Sequence, residues 1–303
     1  MRLLRTVAEA RTALRPARRA ERTIGLVPTM GALHAGHLSL IERARQECDE
    51  VVVSLFVNPR QFGDPGDLSA YPRDEEHDAV LAAEAGADLL FAPGVEELYP
   101  AGFATQVRLE GPLVETLEGA HRGPEHFRGV ATVVTKLVCI VQPDVAFFGQ
   151  KDAQQTLVIR RLVADLNLPV RIDVGPTVRE GDGLALSSRN VRLGAADRAR
   201  APALHAALEA TADAHAAGER DAAALERVAR TAMAAYGVEP DYLALVAPDS
   251  LAPIARVDGE VLVVAAATVG GVRLIDNQLL GTPADGRRQP ASATPTHSER
   301  STP

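Results

Sequence analysis

The chain has 303 residues, 40 of them acidic and 32 basic, and a formal charge of −8 at pH 7. This charge repels polyanions, which argues against nucleic acid as a partner. Hydrophobic residues make up 46% of the chain without a long apolar run, so we expect folded cores in a cytoplasmic protein with no membrane partner. Cys48 and Cys139 lie in apolar helical patterns and are expected to be reduced core residues.

Strand-like and helix-like runs alternate over the first 190 residues. We expect strands at Ile24 to Val27, Val51 to Val57, Asp88 to Ala92, Val145 to Phe148 and Val170 to Val174. We expect helices at Leu38 to Cys48, Asp74 to Ala85, Val130 to Val141 and Gln154 to Leu166. This order predicts an α/β fold with a doubly wound, parallel, Rossmann-like sheet, which binds ligands at the carboxyl ends of its strands.

The pattern changes after about Arg192. Ala195 to Tyr236 predicts two helices hinged near Gly218, and strand-like runs follow at Asp241 to Val246, Val261 to Thr268 and Val272 to Asp276. We therefore expect residues 1–190 to form a larger, Rossmann-like domain and residues 191–280 a small α+β domain. Residues 281–303 contain no Val, Ile, Leu or Phe, which predicts a disordered tail.

The segment PTMGALHAGH, residues 28–37, joins the first of these strands to a helix. His34 and His37 are three residues apart and share a face of the first helical turn, and Gly36 lets a ligand approach the backbone. Unpaired amides at the helix start add an anion site. An HxxH pair alone is more commonly two polar residues near a turn, and zinc is disfavoured because no Glu follows His34 and no third ligand is near. Strand, glycine turn and HxGH together favour a nucleotide.

Two later clusters also follow strand ends. In FFGQKDAQQ, Lys151 can meet phosphate and Asp152 is a predicted helix N-cap, although a solvent-facing Lys beside a capped helix is an equal alternative. The loop LSSRN, residues 186–190, has two hydroxyls and a guanidinium, a mixture that binds polyphosphate or forms a solvated turn.

Six segments together resemble the pantothenate synthetase family. They are VPTMGALHAGH, SLFVNPRQF, YPRDEEHD, HFRGVATVVTKL, FFGQKDAQQ and TVREGDGLALSSRN, in the family's order and spacing. The resemblance covers about Thr23 to Asn190 and continues more weakly to Asn277. It implies a ligase of the HIGH-signature nucleotidyltransferase superfamily that joins pantoate to β-alanine with ATP through a pantoyl adenylate, releasing AMP and pyrophosphate.

The resemblance also implies a role for each matching residue. The catalytic residues would be His34, His37, Lys151, Ser187, Ser188 and Arg189, all acting on the phosphates. The ATP-binding residues would be Lys151, Ser187, Ser188 and Arg189, together with Pro28, Thr29, Met30, Gly36, Gly149, Asp152 and Leu186. Pantoate would be bound by Met30, Gln61, Val133, Val134 and Gln155.

The family's cofactor and assembly are implied in the same way. Mg²⁺ would bridge the ATP oxygens with one or two protein carboxylates, and the protein would be a homodimer. The family often has two acidic residues for metal where His77 and Asp78 stand, so Asp78 is the one metal ligand we name. Gln150 and Ala153 stand where Glu and an aromatic residue are frequent, which predicts local repacking.

Two rival functions are open at this stage. A sister nucleotidyltransferase would share the fold and HxGH but would not require the glutamines of NPxQF and KDxQQ. A nucleotide sensor without turnover would have lost phosphate contacts, yet His34, His37, Lys151, Ser187 and Arg189 are all present.

Overall fold

The computed structural model describes residues 1–281 and contains a six-stranded parallel sheet. Its strands are β1 (Arg2–Leu4), β2 (Ile24–Thr29), β3 (Glu50–Leu55), β4 (Leu89–Phe91), β5 (Val145–Gly149) and β6 (Arg171–Gly175). The predicted doubly wound parallel sheet is confirmed, and each of the five predicted strands is present. The predicted tail, apart from Gly281, lies outside the described residues.

Helices cover both faces of this sheet. They are α1 (Val7–Arg19), α2 (Ala35–Glu47), α3 (Pro65–Ala70), α4 (Glu75–Glu84), α5 (Val95–Leu98), α6 (Pro112–Glu115), α7 (Glu118–Arg122), α8 (Pro124–Val141) and α9 (Ala153–Asp165). Short 3₁₀ turns occur at Pro59–Gln61, Gln150–Asp152 and Asn190–Arg192. Helix α1 was missed in the sequence because its buried face, Ala10, Leu14 and Ala17, has one large apolar side chain in a segment rich in arginine.

Alternation along the strands divides the core between the two faces. Leu26 and Phe148 pack with α1, α8 and α9 on one face, whereas Val27 and Phe147 pack with α2 and α4 on the other. Successive residues of a strand point to opposite faces, so a continuous apolar run is what a doubly covered strand requires.

The strand order places a topological switch in the middle of the sheet. The order is β1-β4-β3-β2-β5-β6, so the chain moves outward in one direction after β2 and in the other after β5. Gly25 and Leu26 of β2 are paired with Val145 and Ala146 of β5. Loops leave the carboxyl ends of these neighbouring strands in opposite directions and open a crevice there.

The C-terminal part has a different architecture. It consists of α10 (Ala195–Arg200), α11 (Ala203–Ala216), α12 (Ala222–Ala234) and an antiparallel sheet of β7 (Tyr242–Val246), β8 (Val261–Val269) and β9 (Val272–Leu280). The sequence predicted two helices here, but the structure has three. The chain turns at Gly218, which has φ of +107°, as expected, and a further break precedes α11 at Pro202. The predicted smaller α+β unit is confirmed as a fold class.

An apolar cluster joins this sheet to the larger one. Leu157 of α9 packs with Val246, Leu251 and Val264.

Over residues 1–281, no helix has both the length and the apolar composition needed to cross a membrane. Both cysteines are free, but only Cys48 is buried; Cys139 is exposed, so its expected place in the core is wrong.

Candidate active site

A cavity of about 740 Å³ lies between the switch point of the parallel sheet and the C-terminal sheet. Its walls include every residue that the sequence assigned to ATP or pantoate, although these positions span Pro28 to Arg189. Residues of β9 close the opposite side, among them Arg273 and Asn277. The fold therefore brings the separate sequence motifs into one site.

The two histidines of HxGH are held by the main chain at the start of α2. Nδ1 of His34 accepts the Gly36 N–H at 3.2 Å, and Nδ1 of His37 accepts the His34 N–H at 3.4 Å. The ring centroids are 4.1 Å apart. Because both Nδ1 atoms accept, the proton of each neutral imidazole is on Nε2, which makes Nε2 a hydrogen-bond donor.

The main-chain N–H groups of Gly36 and His37, which were expected to bind an anion, are already hydrogen-bonded within the protein. The Gly36 N–H is bonded to His34, and the His37 N–H donates to the His34 carbonyl at 2.8 Å. The expectation of free amides at these two positions is wrong. The imidazoles replace the amides as donors.

Both imidazoles are neutral at pH 7. Burial lowers the pKa of His34 to about 4, and the neighbouring charge of Lys151 adds to the shift. Burial also lowers the pKa of His37 to about 3, with His34 contributing next. The pair can therefore donate hydrogen bonds to phosphate, while positive charge must come from Lys151 and arginines.

Lys151 follows β5 in a 3₁₀ turn that β9 holds in place. Nδ2 of Asn277 donates to the carbonyls of Gln150 and Lys151 at 2.9 and 3.0 Å, and Nε2 of Gln150 donates to Oδ1 of Asn277 at 2.9 Å. Lys151 Nζ lies 3.7 Å from Oδ1 of Asp152. Asp152 occupies the N-cap position of α9, but its side chain makes no capping hydrogen bond.

The LSSRN loop meets the α3 segment across the cavity. Arg189 and Arg192 contact opposite oxygens of Asp67 at 2.9 and 3.0 Å. Burial alone would raise the pKa of Asp67, but these arginines outweigh it and lower the pKa. Oγ of Ser188 lies 3.2 Å from the Tyr71 hydroxyl. A polyphosphate would compete with the Asp67 carboxylate for the same guanidinium.

Gln61 is oriented by a buried hydrogen-bond chain that starts at Tyr99. The Tyr99 hydroxyl donates to Oδ1 of Asn58 at 2.8 Å, and Nδ2 of Asn58 donates to Oε1 of Gln61 at 3.0 Å. Nδ2 of Asn58 also donates to the Gly129 carbonyl at 3.1 Å, which only accepts and so fixes the Asn58 amide. Nε2 of Gln61 then points its protons away from this chain and lies 3.0 Å from the Met30 sulfur.

Close helix packing makes this arrangement possible. A β-carbon on Gly129 of α8 would lie 2.3 Å from the Arg60 carbonyl oxygen and 2.7 Å from the Gln61 nitrogen. Asn58, between these elements, is 1% exposed. Glycine is therefore required at position 129.

The adjacent glutamines of KDxQQ differ in their surroundings. Nε2 of Gln154 donates to the carbonyls of Leu113 and Thr116, and its Oε1 accepts the Glu118 N–H. Gln155 lines the cavity, as do Val133 and Val134 of α8. Gln154 also lines the cavity, but it is buried with its amide bonded to the main chain, whereas Gln155 is partly exposed.

The sequence interpretation missed several cavity residues. Asn58 and His126 lie inside the motifs NPRQF and HFRGV, so their motif positions were the available signal. Glu118, Arg122 and Arg273 form an ion-pair cluster between α7 and β9. Burial alone would raise the pKa of Glu118, but the arginines hold it at about 2. Glu118 and Arg273 are 155 positions apart in the sequence, so no local sequence pattern could have indicated their contact.

Asp78 has a structural role that differs from the predicted metal ligation. It is 1% exposed, and its two carboxylate oxygens accept the N–H groups of Ala32 and Leu33 at 2.8 and 2.7 Å. Gly31, with φ of +84°, leaves room for it, since a β-carbon there would lie 2.9 Å from Asp78. Asp78 fixes the turn before the histidines, because both of its carboxylate oxygens accept main-chain N–H groups.

Comparison with protein families gives one match over nearly the whole chain. The family model described as pantoate-beta-alanine ligase matches residues 2–279. A pantothenate synthetase of Cereibacter sphaeroides is 57% identical over 276 residues, covering 91% of this chain and 98% of that protein. One from Moorella thermoacetica is 54% identical, covering 92% and 99% respectively.

Solved structures agree with the sequence relatives. A pantothenate synthetase from Thermus thermophilus has a TM-score of 0.87 and 51% identity, with 92% of this chain and 99% of that chain covered. A pantoate-beta-alanine ligase from Francisella tularensis, complexed with β-γ ATP and β-alanine, has a TM-score of 0.75 and 34% identity, with 93% and 99% covered.

Proposed function

The chain belongs to the pantoate-beta-alanine ligase family, and we propose that it makes pantothenate through a pantoyl adenylate, releasing pyrophosphate and then AMP. It is a ligase of pantothenate biosynthesis that uses ATP. The Francisella relative binds β-γ ATP and β-alanine, which supports both as substrates here. We further propose, from the family resemblance, a cytoplasmic homodimer, which light scattering would test as twice the chain mass.

The first step activates a carboxylate that is otherwise a poor acyl donor. A pantoate oxygen attacks the α-phosphorus of ATP, and the electron pair of the broken P–O bond leaves on pyrophosphate. The neutral Nε2–H groups of His34 and His37 would donate to phosphate oxygens, and Lys151 with Arg189 would balance the growing charge. Ser187 and Ser188 would donate from the facing loop.

The second step needs the acyl group held still. Gln61 would donate from Nε2 to pantoate oxygens, because Asn58 and Tyr99 fix its amide. Gln155 would bind the opposite side, and Val133 and Val134 would pack against the dimethyl group. The β-alanine nitrogen then attacks the acyl carbon and displaces AMP. This is catalysis by positioning, without a covalent enzyme intermediate.

Magnesium fits this site as an ion carried by ATP. Residues 1–281 hold no group of three or more His, Cys, Asp or Glu side chains placed to bind a metal. Among the cavity carboxylates, Asp67, Glu118 and Asp276 are each paired with arginine, and Asp64 caps α3 by accepting the Gly66 N–H. Asp152 has only the more distant Lys151 and makes no capping hydrogen bond. Since Mg²⁺ on a nucleotide needs only one or two protein carboxylates, Asp152 is the residue we propose to hold it. The ion would neutralise phosphate charge.

The observation that carries the proposal is the shared cavity of the phosphate-type and pantoate-type residues. If activation precedes the amine, the enzyme should exchange labelled pyrophosphate into ATP when pantoate is present and β-alanine is withheld. Exchange that strictly requires β-alanine would overturn the adenylate route. Pyrophosphate release with other acceptors but not pantoate would favour a sister nucleotidyltransferase.

A further inference from the structure

Of the four histidines that line the cavity, His34, His37 and His126 have ring hydrogen bonds that fix two opposite tautomers. Nδ1 of His34 and of His37 accepts a main-chain N–H, which leaves the proton on Nε2. Nδ1 of His126 instead lies 2.8 Å from the main-chain carbonyl oxygen of Gln61. A carbonyl oxygen can only accept, so His126 carries its proton on Nδ1 and has a lone pair on Nε2. His126 is therefore built as a proton acceptor, whereas the other two are donors.

The surroundings of His126 preserve its neutral form. Burial lowers its pKa to about 4, and the charge of Arg122 adds to this effect, while the Gln61 carbonyl, Glu118 and Asp152 act in the opposite direction. His126 also lies in the first turn of α8, where the positive end of the helix dipole disfavours an imidazolium. At neutral pH the Nε2 lone pair is therefore available.

The position of His126 associates it with the side chain that we assign to the acyl group. It holds the main chain of Gln61, whose side chain we assign to pantoate, and it lines the same cavity. His34 and His37 follow β2 with ring centroids 4.1 Å apart, and Lys151 follows β5, the strand paired with β2. A base is needed where the amine meets the acyl carbon, and none of the phosphate-binding groups supplies one.

We propose that Nε2 of His126 is the base that accepts a proton from the β-alanine ammonium group, which frees the nitrogen lone pair for the attack. This inference rests on the proposed function. The C–N bond forms while the acyl C–O bond to phosphate breaks, and that electron pair leaves on AMP. One ammonium proton passes to His126, and the second passes to a phosphate oxygen of the departing AMP. The imidazolium returns its proton to solvent once the product leaves.

The test variant is His126→Asn. An Asn side chain can place its Nδ2 near the position of the histidine Nδ1 and keep the donor to the Gln61 carbonyl, but it has no basic nitrogen. With β-alanine, the variant should form product about 10²-fold more slowly than the wild type, as expected for loss of a general base. Pyrophosphate exchange with pantoate alone should stay within about 3-fold, because no amine takes part.

Hydroxylamine separates a base from a structural support. It is already neutral at pH 7, so the variant and the wild type should form the hydroxamate at rates within about 3-fold of each other. An equal loss with both amines, or a loss of exchange as large as the loss with β-alanine, would overturn the inference and leave His126 as a support for Gln61. An unchanged rate with β-alanine would also overturn it.

The same experiment distinguishes failure of the proposed function. If the wild type cannot exchange pyrophosphate without β-alanine, the adenylate route fails. The ratio of variant to wild-type rates with the two amines would still decide whether His126 acts as a base.

Discussion

The two ends of the cavity are stabilised in different ways. At the end that we propose for the phosphates (the phosphate end), charged groups are paired with exchangeable partners: Arg189 contacts Asp67, and Lys151 lies 3.7 Å from Asp152. At the end that we propose for pantoate (the acyl end), neutral amides are fixed by one another, as in the chain from Tyr99 through the buried Asn58 to Gln61. Groups that must meet growing charge can exchange one anion for another, whereas groups that select a substrate must keep one orientation.

Removal of the imidazole donors should have the largest effect and tests this difference between the two ends. His34→Ala and His37→Ala should each lower pyrophosphate exchange by about 10²- to 10³-fold, because a donor to the transition-state charge is lost. Amide formation from preformed pantoyl adenylate should fall by less than about 10-fold. Radiolabel exchange and single-turnover amide formation measure the two steps.

His34→Asn is the matched control for that result. Its amide oxygen can still accept the Gly36 N–H and keep the helix cap, but it lacks Nε2. Loss of exchange with an unchanged melting temperature assigns the effect to the donor. Equal loss of both steps in the folded alanine variants would contradict the division into two ends.

Removal of the cation at the phosphate end should have the next largest effect. Lys151→Ala should lower turnover by about 10²-fold, equivalent to about 3 kcal/mol of transition-state stabilisation. Pantoate affinity, measured by calorimetry, should change little because the lysine does not contact the acyl chain. Unaltered turnover would make Lys151 a solvated neighbour of the α9 cap.

Acid should destabilise the fold through the buried histidines. Their pKa values of about 4 and 3 lie below the ordinary 6.5, so the unfolded chain binds more protons between about pH 6.5 and 4. Stability therefore decreases as the pH falls through this window, by about 1.4 kcal/mol per pH unit for each of His34 and His37. Urea unfolding at pH 7, 6 and 5 should show this slope.

The variant His34→Asn/His37→Asn should reduce that slope. His126, whose pKa is also lowered to about 4, would account for the part of the slope that remains in the variant. A slope that is the same in the variant and the wild type would show that other groups control the acid response.

Overpacking should affect the acyl end alone. Gly129→Ala places a β-carbon 2.3 Å from the Arg60 carbonyl oxygen, so we expect about 2 kcal/mol lower stability. The KM for pantoate should increase several-fold while the KM for ATP stays constant. Gly194→Ala is the control, since a β-carbon there meets nothing within 4 Å. An equal change in both KM values would contradict separate ends.

The smallest expected effect comes from the start of the hydrogen-bond chain. Burial raises the pKa of Tyr99 to about 12, so its hydroxyl stays protonated and donates to Asn58. Tyr99→Phe should raise the KM for pantoate several-fold, in line with about 1 kcal/mol for one buried hydrogen bond. Tyr236→Phe, at an exposed position, should have no effect. A Tyr99→Phe enzyme with normal pantoate KM would show that Gly129 fixes Asn58 without help.

The phosphate end could be predicted from sequence because its residues directly follow strands. His34, His37 and Lys151 come after the apolar runs of β2 and β5, and carboxyl ends of neighbouring parallel strands meet at one edge. The resemblance to a family then supplied the roles of Gln61, Gln155 and the LSSRN loop. Those roles are still predictions, although the residues line one cavity.

Tertiary structure decided the protonation states and the partners. The sequence contains eight histidines. For His34, His37 and His126, the nitrogen that carries the proton depends on whether an N–H or a carbonyl lies beside Nδ1. It also contains Asp78 in an acidic motif, yet its burial against Ala32 and Leu33 gives it a structural role. Strand and helix periodicity is a local property of the chain, whereas hydrogen-bond direction, burial and pKa depend on atoms that folding brings from distant positions.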